Sequence, residues 1–389
     1  MNAPSRPSHS SETPRYLLRV AFGSSVLLDT READHVFRTQ GEVAYVQHME
    51  AEENKAFTPG ALYPLARLLL HINKLSGMRV FDLVLVSMNH GAAAIKVEKS
   101  LMQLGFYENG QFAFHHKTYN RGHEDDLLED LSRLRADVYF SSHPELVTRA
   151  LDRGIPAAHF AANGISEQEL QISQKILKTK SLHTLFDLSQ KAFQIFVDFD
   201  GVLADRQSEN FFQNVLRRYG SSDGRAVTSY NAHEKALENT PVPYGPLAPF
   251  ILSLSHFVDI RLLTARSGNA LHRAIKTLRG WGLNNLSTIS LPSYQSIDLA
   301  KAEMMASPRS KSQTTRVPLL FVDDSTSHIH AARAANISAT GHVRVSQSLS
   351  TWACHTNSFE RVQTFIKTLR SKGLAFSRTH LATTFPEPV

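Results

Sequence analysis

The sequence reads as an α/β protein built from two related units, each a parallel sheet covered by helices. Three observations carry this reading. Short apolar runs that end in polar residues alternate with stretches of helical periodicity. The plan of the first half recurs in the second at a nearly constant offset. The residues that end the runs differ between the halves, hydroxyls in the first and carboxylates in the second.

Residues 1–14 are rich in Ser and Pro and lack an apolar segment, so they read as a disordered leader and not as a signal peptide. Residues 16–22 form the first strand and lead into Gly23 and Asp29. Residues 31–56 are polar, charged and helical in pattern. Pro59 and Gly60 punctuate the chain, and 61–72 has helical spacing. Residues 81–86 form a second strand that ends at Ser87 and Met88. Residues 92–104 make an amphipathic helix closed by Gly105. A weaker strand and helix occupy 106–135. Residues 137–140 form a strand, and Pro144 opens a helix that ends near Gly154. Residues 166–190 are polar, helical in pattern and join the halves.

In the second half the strands are 195–197, 260–264 and 319–322, with an amphipathic helix before Gly282. Residues 301–315 contain a polar surface loop before the last strand, around Pro308. Residues 346–370 hold one or two further elements around Trp352, and 371–389 read as a flexible tail. The expected layout is a leader (1–14), a first unit (15–165) and a linker (166–190). A second unit (191–345) follows, with a cap insert at about 206–250, and then an extension (346–389).

The repeat is specific. Asp29 after an apolar run matches Asp205, an offset of 176; Ser87 matches Thr264, an offset of 177; Ser142 matches Asp324, an offset of 182. Gly60 and Leu62 sit in a stretch that resembles the one around Gly245 and Leu247. Where the second half carries Asp198, Asp200, Thr264, Asp323 and Asp324, the first carries Phe22, Ser24, Ser87, Ser141 and Ser142. The first half therefore cannot hold a divalent cation in the same way. Its expected role is a scaffold, a subunit contact or a contributor to substrate binding.

Composition narrows the partners. The net charge is +6 with 19 histidines, a diffuse balance that favours anionic ligands weakly. No basic block or aromatic-interleaved basic stripe appears, so a nucleic acid polymer is not expected as a partner. The single cysteine, Cys354, excludes an internal disulfide and a cysteine metal cluster. It fits a reducing compartment, and a cytoplasmic location is expected. No apolar run approaches the roughly 18 residues of a membrane span. A homo-oligomer is allowed but not required.

Parallel sheets bind ligands beyond the carboxyl ends of their strands. Three strand ends of the second half carry Asp198 and Asp200, then Thr264, Arg266 and Ser267, then Asp323 and Asp324. Carboxylates crowded at one edge need a cation, and all-oxygen ligation suits Mg²⁺. Carboxylates, a hydroxyl and a cation in one cleft are the equipment of phosphoryl transfer. An Asp can serve there as nucleophile.

Asp198-Phe-Asp200-Gly-Val, the Thr264 strand end and Asp323-Asp324, in that order, resemble the haloacid-dehalogenase (HAD) superfamily of phosphohydrolases. The resemblance implies Asp198 as nucleophile, Asp200 as general acid and base, Thr264 on the transferring phosphoryl group, and Asp323 and Asp324 on Mg²⁺ together with the first two aspartates. A longer pattern is similar to the cytosolic 5′-nucleotidase type I family. It runs through Phe22–Asp29, Tyr45 and Gln47, Leu85–Asn89, Leu262–Ser267, Thr277–Gly282 and Phe321–Asp324. It implies two HAD-like Rossmannoid units and Mg²⁺-dependent hydrolysis of nucleoside 5′-monophosphates.

The resemblance also implies a lysine facing the nucleophile, expected near Ser296. The nearest one is Lys301, five residues on. Two readings of that cation stay open: Lys301, or Arg266, whose guanidinium suits phosphate. In the cap insert Phe211, Phe212 and His233 are candidates for nucleobase contact, with core packing or a plain surface role as the alternative. Two other functions also remain open, a phosphatase for another small phosphate ester and a non-catalytic nucleotide-binding protein.

Overall fold

The computed structural model describes residues 17–89, 91–107, 115–119, 122–220, 224–283, 287–290, 301, 316–343, 360–362, 364–365 and 367. The leader, His90, Ser296, the loop at 302–315, Trp352 and the tail lie outside the described residues. The first-half strands are β1 (Leu18–Gly23), β2 (Phe81–Ser87), β3 (His115–Thr118), β4 (Val138–Ser141) and β5 (Ala157–Phe160). Those of the second half are β6 (Phe193–Val197), β7 (Asp259–Thr264), β8 (Ser287–Ser290), β9 (Val317–Asp323) and β10 (Thr340–His342).

All ten lie in one sheet, in the order β3-β2-β1-β4-β5-β10-β9-β6-β7-β8. Read outward from the middle, each half has the same order, so the duplication seen in sequence is also a duplication of topology. The loops repeat too. Gly60 N donates to Leu27 O at 2.8 Å, and Gly245 N donates to Leu203 O at 2.7 Å. Leu62 N donates to Val26 O, and Leu247 N donates to Val202 O.

Within each half the strands run parallel. At the seam they do not: β10 pairs with β5 antiparallel, through Gly341 opposite Phe160 and His342 opposite His159. The halves therefore run in opposite directions, and their strand tips point to opposite edges of the sheet. Met88, Asn89, Ser142 and His143, at the strand tips of the first half, thus lie at the opposite edge of the sheet from Asp198.

Apolar runs such as Phe81–Ser87 are buried along their whole length, as strands covered on both faces must be. The core is continuous across the seam: Phe250 from the second half packs at 5.2 Å, edge to face, on Phe140 from the first. The joining segment consists of two packed helices. Glu167–Leu177 starts with a capping box, Ser166 and Glu169, which satisfies the otherwise unpaired amides of its first turn. Leu182–Ala192 buries Leu185 and Phe186, the latter against Phe257. The C-terminal segment is tied back to the first half, where Arg361 donates to Asp137 at 2.7 Å.

The expected cap range holds the helices Gln207–Tyr219 and Gly224–Ala236. The helix Ala248–Leu254, which begins in the same range, is wholly buried in the core.

The seam depends on Gly341. A Cβ there would lie 2.3 Å from the Phe160 ring, which is itself fully buried. Gly341→Val is expected to cost at least about 1–3 kcal/mol through overpacking, read as a lowered urea midpoint. An unchanged midpoint refutes this account of the seam.

Candidate active site

In the sheet β6 lies between β9 and β7, so the carboxyl ends of these three strands adjoin. Asp198 follows β6, Thr264 ends β7 and Asp323 ends β9. The Asp198 amide donates to Val322 O at 2.9 Å, which fixes the first tip against the third. Asp198, Asp323 and Asp324 bring one carboxylate oxygen each within 4.8 Å of one another. Gly201 makes room for this. Its φ is +73°, and a Cβ there would lie 2.4 Å from Asp324 Oδ2.

Lys301 is 1% exposed and reaches this cluster. Its Nζ donates to Asp198 Oδ1 at 2.9 Å and to Asp323 Oδ2 at 2.7 Å. Asp323 Oδ1 lies 2.9 Å from His328 Nδ1 and accepts from Ser325 N at 2.9 Å. Burial alone would lower the Lys301 ammonium, but the two carboxylates beside it hold it above its ordinary range. Burial pushes Asp198 up to about 7, with Asp323 and Asp200 adding to the rise and Lys301 opposing it. Asp324 is also pushed up, by burial and by the charge of Asp198. Asp323 goes the other way: burial would raise it, but Lys301 and His328 outweigh that. Three carboxylate oxygens this close together are a donor set that suits a hard divalent cation.

Asp200 is not part of this cluster. Arg266 holds both its oxygens, Nε to Oδ2 at 2.8 Å and Nη2 to Oδ1 at 2.6 Å. The expectation that the Asp200 carboxylate joins the other aspartates around a metal is therefore not met by its side chain. Arg266 Nη1 also donates to Glu234 Oε2 at 3.0 Å, and Arg273 Nη1 lies 3.2 Å from Glu234 Oε1. Arg266 is thus committed to carboxylates, and among the described residues Lys301 is the cation that touches Asp198. The Glu234 side chain is fully buried and sits on a cap helix, so this chain of charges ties the cap to Asp200.

Thr264 is buried and its Oγ1 accepts from Arg266 N at 3.1 Å. Ser267 is exposed at the N-cap of Gly268–Gly280. Phe211 and His233 stack on each other, centroids 3.8 Å apart, and Phe212 packs on Tyr230 at 4.9 Å. One face each of Phe211 and His233 is therefore already covered.

Several neighbours escaped the sequence reading. Arg206 Nε is 3.3 Å from Asp324 Oδ2. Asn231 Oδ1 and Asp205 Oδ2 are buried without a hydrogen-bond partner among the described residues. Asp205 had a signal, since it closes the repeated run that Asp29 closes in the first half.

The family model described as 5'-nucleotidase matches residues 10–350, most of the chain. This chain belongs to the 5'-nucleotidase family. The match includes the first half, which lacks the carboxylates, so this 5'-nucleotidase family member shares both units with its family. Among curated proteins it is similar to human (Homo sapiens) cytosolic 5'-nucleotidase 1B, 23% identical over 357 residues. That alignment covers 84% of this chain and 49% of the relative, so the chain spans about half the relative's length. Among the described residues no helix is long and apolar enough to cross a membrane.

Two outcomes test the electrostatics. Glu234→Ala removes the buried carboxylate that Arg266 and Arg273 share and is expected to cost about 3–5 kcal/mol in chemical denaturation; a loss below about 1 kcal/mol refutes the network. Burial raises Asp205 to about 6, above its unfolded value. The folded chain then binds the extra proton, and this contribution to stability is lost as pH rises from about 4 to about 6. Asp205→Asn is therefore expected to gain roughly 1–3 kcal/mol at pH 8 and little at pH 4. An equal effect at both pH values overturns it.

Proposed function

We propose that this chain is a Mg²⁺-dependent 5′-nucleotidase of the cytoplasm that converts nucleoside 5′-monophosphates to nucleoside and phosphate. One observation carries the reading. Three adjacent strand tips of the carboxylate-bearing half put Asp198, Thr264, Asp323 and Asp324 together with Lys301 at one edge. Membership of the family supports the same conclusion.

The donor set fits a hard cation, since Asp198, Asp323 and Asp324 offer only oxygen and their charges repel one another without one. These three residues would hold it. When bound, such an ion neutralises charge on the phosphoryl oxygens and orients the group. The chain's own residues do the rest. An Asp198 oxygen attacks phosphorus, and the bond from phosphorus to the ribose O5′ breaks. Asp200 gives its proton to O5′, so the nucleoside leaves neutral. Asp200 then takes a proton from water, whose oxygen attacks the aspartyl-phosphate and frees Asp198 and phosphate. Lys301 and the Thr264 hydroxyl hold phosphoryl oxygens.

Arg266 shapes the two roles of Asp200. Its guanidinium grips both carboxylate oxygens and so fixes where the side chain rests. To act as acid, Asp200 must turn out of that fork toward the leaving oxygen. The stacked Phe211 and His233 rings, both half-buried in the cap, are the side chains assigned to the nucleobase. The contact between Lys301 and Asp198 supports this reading over a non-catalytic nucleotide-binding protein, since it gives the nucleophile a facing cation.

Phosphate release from a panel of nucleoside monophosphates and sugar phosphates, with Mg²⁺ and with EDTA, tests the proposal. Asp198→Asn is expected to lower kcat by about 10³-fold or more, and Lys301→Ala by about 10²-fold or more. Turnover that survives Asp198→Asn, or that ignores EDTA, sinks the mechanism. A preference for sugar phosphates sinks the substrate assignment.

A further inference from the structure

The first half has a cavity of about 890 Å³ at the tips of β1, β2 and β4, the place that corresponds to the active-site edge of the second half. It opens at the opposite edge of the sheet, so the catalytic cleft does not account for it. That volume is within the range of small-molecule sites.

Its floor is a closed set of neutral groups. Ser25 Oγ and Ser142 Oγ share a hydrogen bond of 2.5 Å. Asn89 Nδ2 donates to Ser24 Oγ at 3.1 Å and to Ser87 Oγ at 3.0 Å, and Tyr45 OH donates to Asn89 Oδ1 at 3.1 Å. Hydroxyls and an amide can each turn to donate or accept, which suits ligand hydroxyls.

The charged lining is balanced. Arg31, Arg38 and Arg149 are matched by Asp34, Glu124 and Glu145. Arg31 is already held by Asp29 through two hydrogen bonds, and Arg149 by Asp125. Among the described lining residues the arginines are offset by carboxylates, which disfavours a phosphate dianion, and where the second half carries Asp198, Asp323 and Asp324 the first carries Phe22, Ser141 and Ser142. The wall is aromatic. Phe37 and Tyr45 meet edge to face at 5.7 Å, and Phe57 and Met88 complete it. A flat ring fits such a wall.

We propose that this cavity binds an uncharged nucleoside, its sugar hydroxyls on the serine and asparagine floor and its base against Phe37 and Tyr45. The choice of a nucleoside among ring-bearing polyols rests on the nucleotidase reading, since nucleoside is the product of that reaction. The first half then keeps a binding site whose charge has been removed, and binds what the second half releases.

Isothermal titration of the full chain in EDTA, with adenosine, inosine, cytidine, uridine and inorganic phosphate, tests this. At least one nucleoside is expected to bind. Asn89→Leu and Phe37→Ala are each expected to weaken it about tenfold or more, while the KM and kcat for nucleoside monophosphates change less than about twofold. Two variants are used so that one that fails to fold does not decide the matter. Nucleoside binding that ignores both variants, or no nucleoside binding at all, overturns the proposal. So does inorganic phosphate binding that depends on Asn89. Phosphate release is measured separately. Its absence, with nucleoside binding that depends on Asn89, overturns only the nucleotidase reading.

Discussion

Two residue pairs, Gly341 with Phe160 and His342 with His159, set the direction of everything else. At this seam one parallel half meets the other antiparallel. Each half presents its strand tips, its loops and its cavity on its own edge. A parallel pairing at the same place would have put both sets of tips on one edge. The antiparallel seam separates an acidic site from a neutral one by the breadth of the sheet.

The acidic edge is a problem in electrostatics that the fold meets locally. Asp198, Asp323 and Asp324 are close enough to repel, and burial raises the cost of each charge. Lys301 offsets part of this by touching two of them from a buried position. Arg266 removes Asp200 from the crowd by holding it in a second charge network with Glu234 and Arg273. The division gives the two aspartates of one turn different surroundings. Asp198 lies against a lysine and other carboxylates, and Asp200 against an arginine anchored by the cap. Environments that differ in this way are what let neighbouring carboxylates take different chemical roles.

The neutral edge shows what the same loops do without that problem. Ser24 and Ser142, at the places of Asp200 and Asp324, are held by hydrogen bonds to Asn89 and Ser25, and the cavity stays open. Conserving the loop geometry thus does not require conserving the charge. The paired contacts of Gly60 and Gly245 hold the same turn in both halves.

The sequence by itself determined the α/β class, the duplication and the half that carries the carboxylates. These are local properties: alternation, spacing and residue type at a strand end are all written within a few positions of one another. It also located Asp198, Thr264, Asp323 and Asp324, because a strand end fixes where its last side chains go. Tertiary structure decided the rest. The seam strands Ala157–Phe160 and Thr340–His342 are short and carry no pattern of their own, so their antiparallel pairing was not legible. Which cation faces Asp198 depended on a long flexible side chain reaching in from a distant segment, a matter of position in space and not of spacing along the chain. Arg266 and Glu234 found each other across 32 residues, and their burial together is a choice only the packed cap could make.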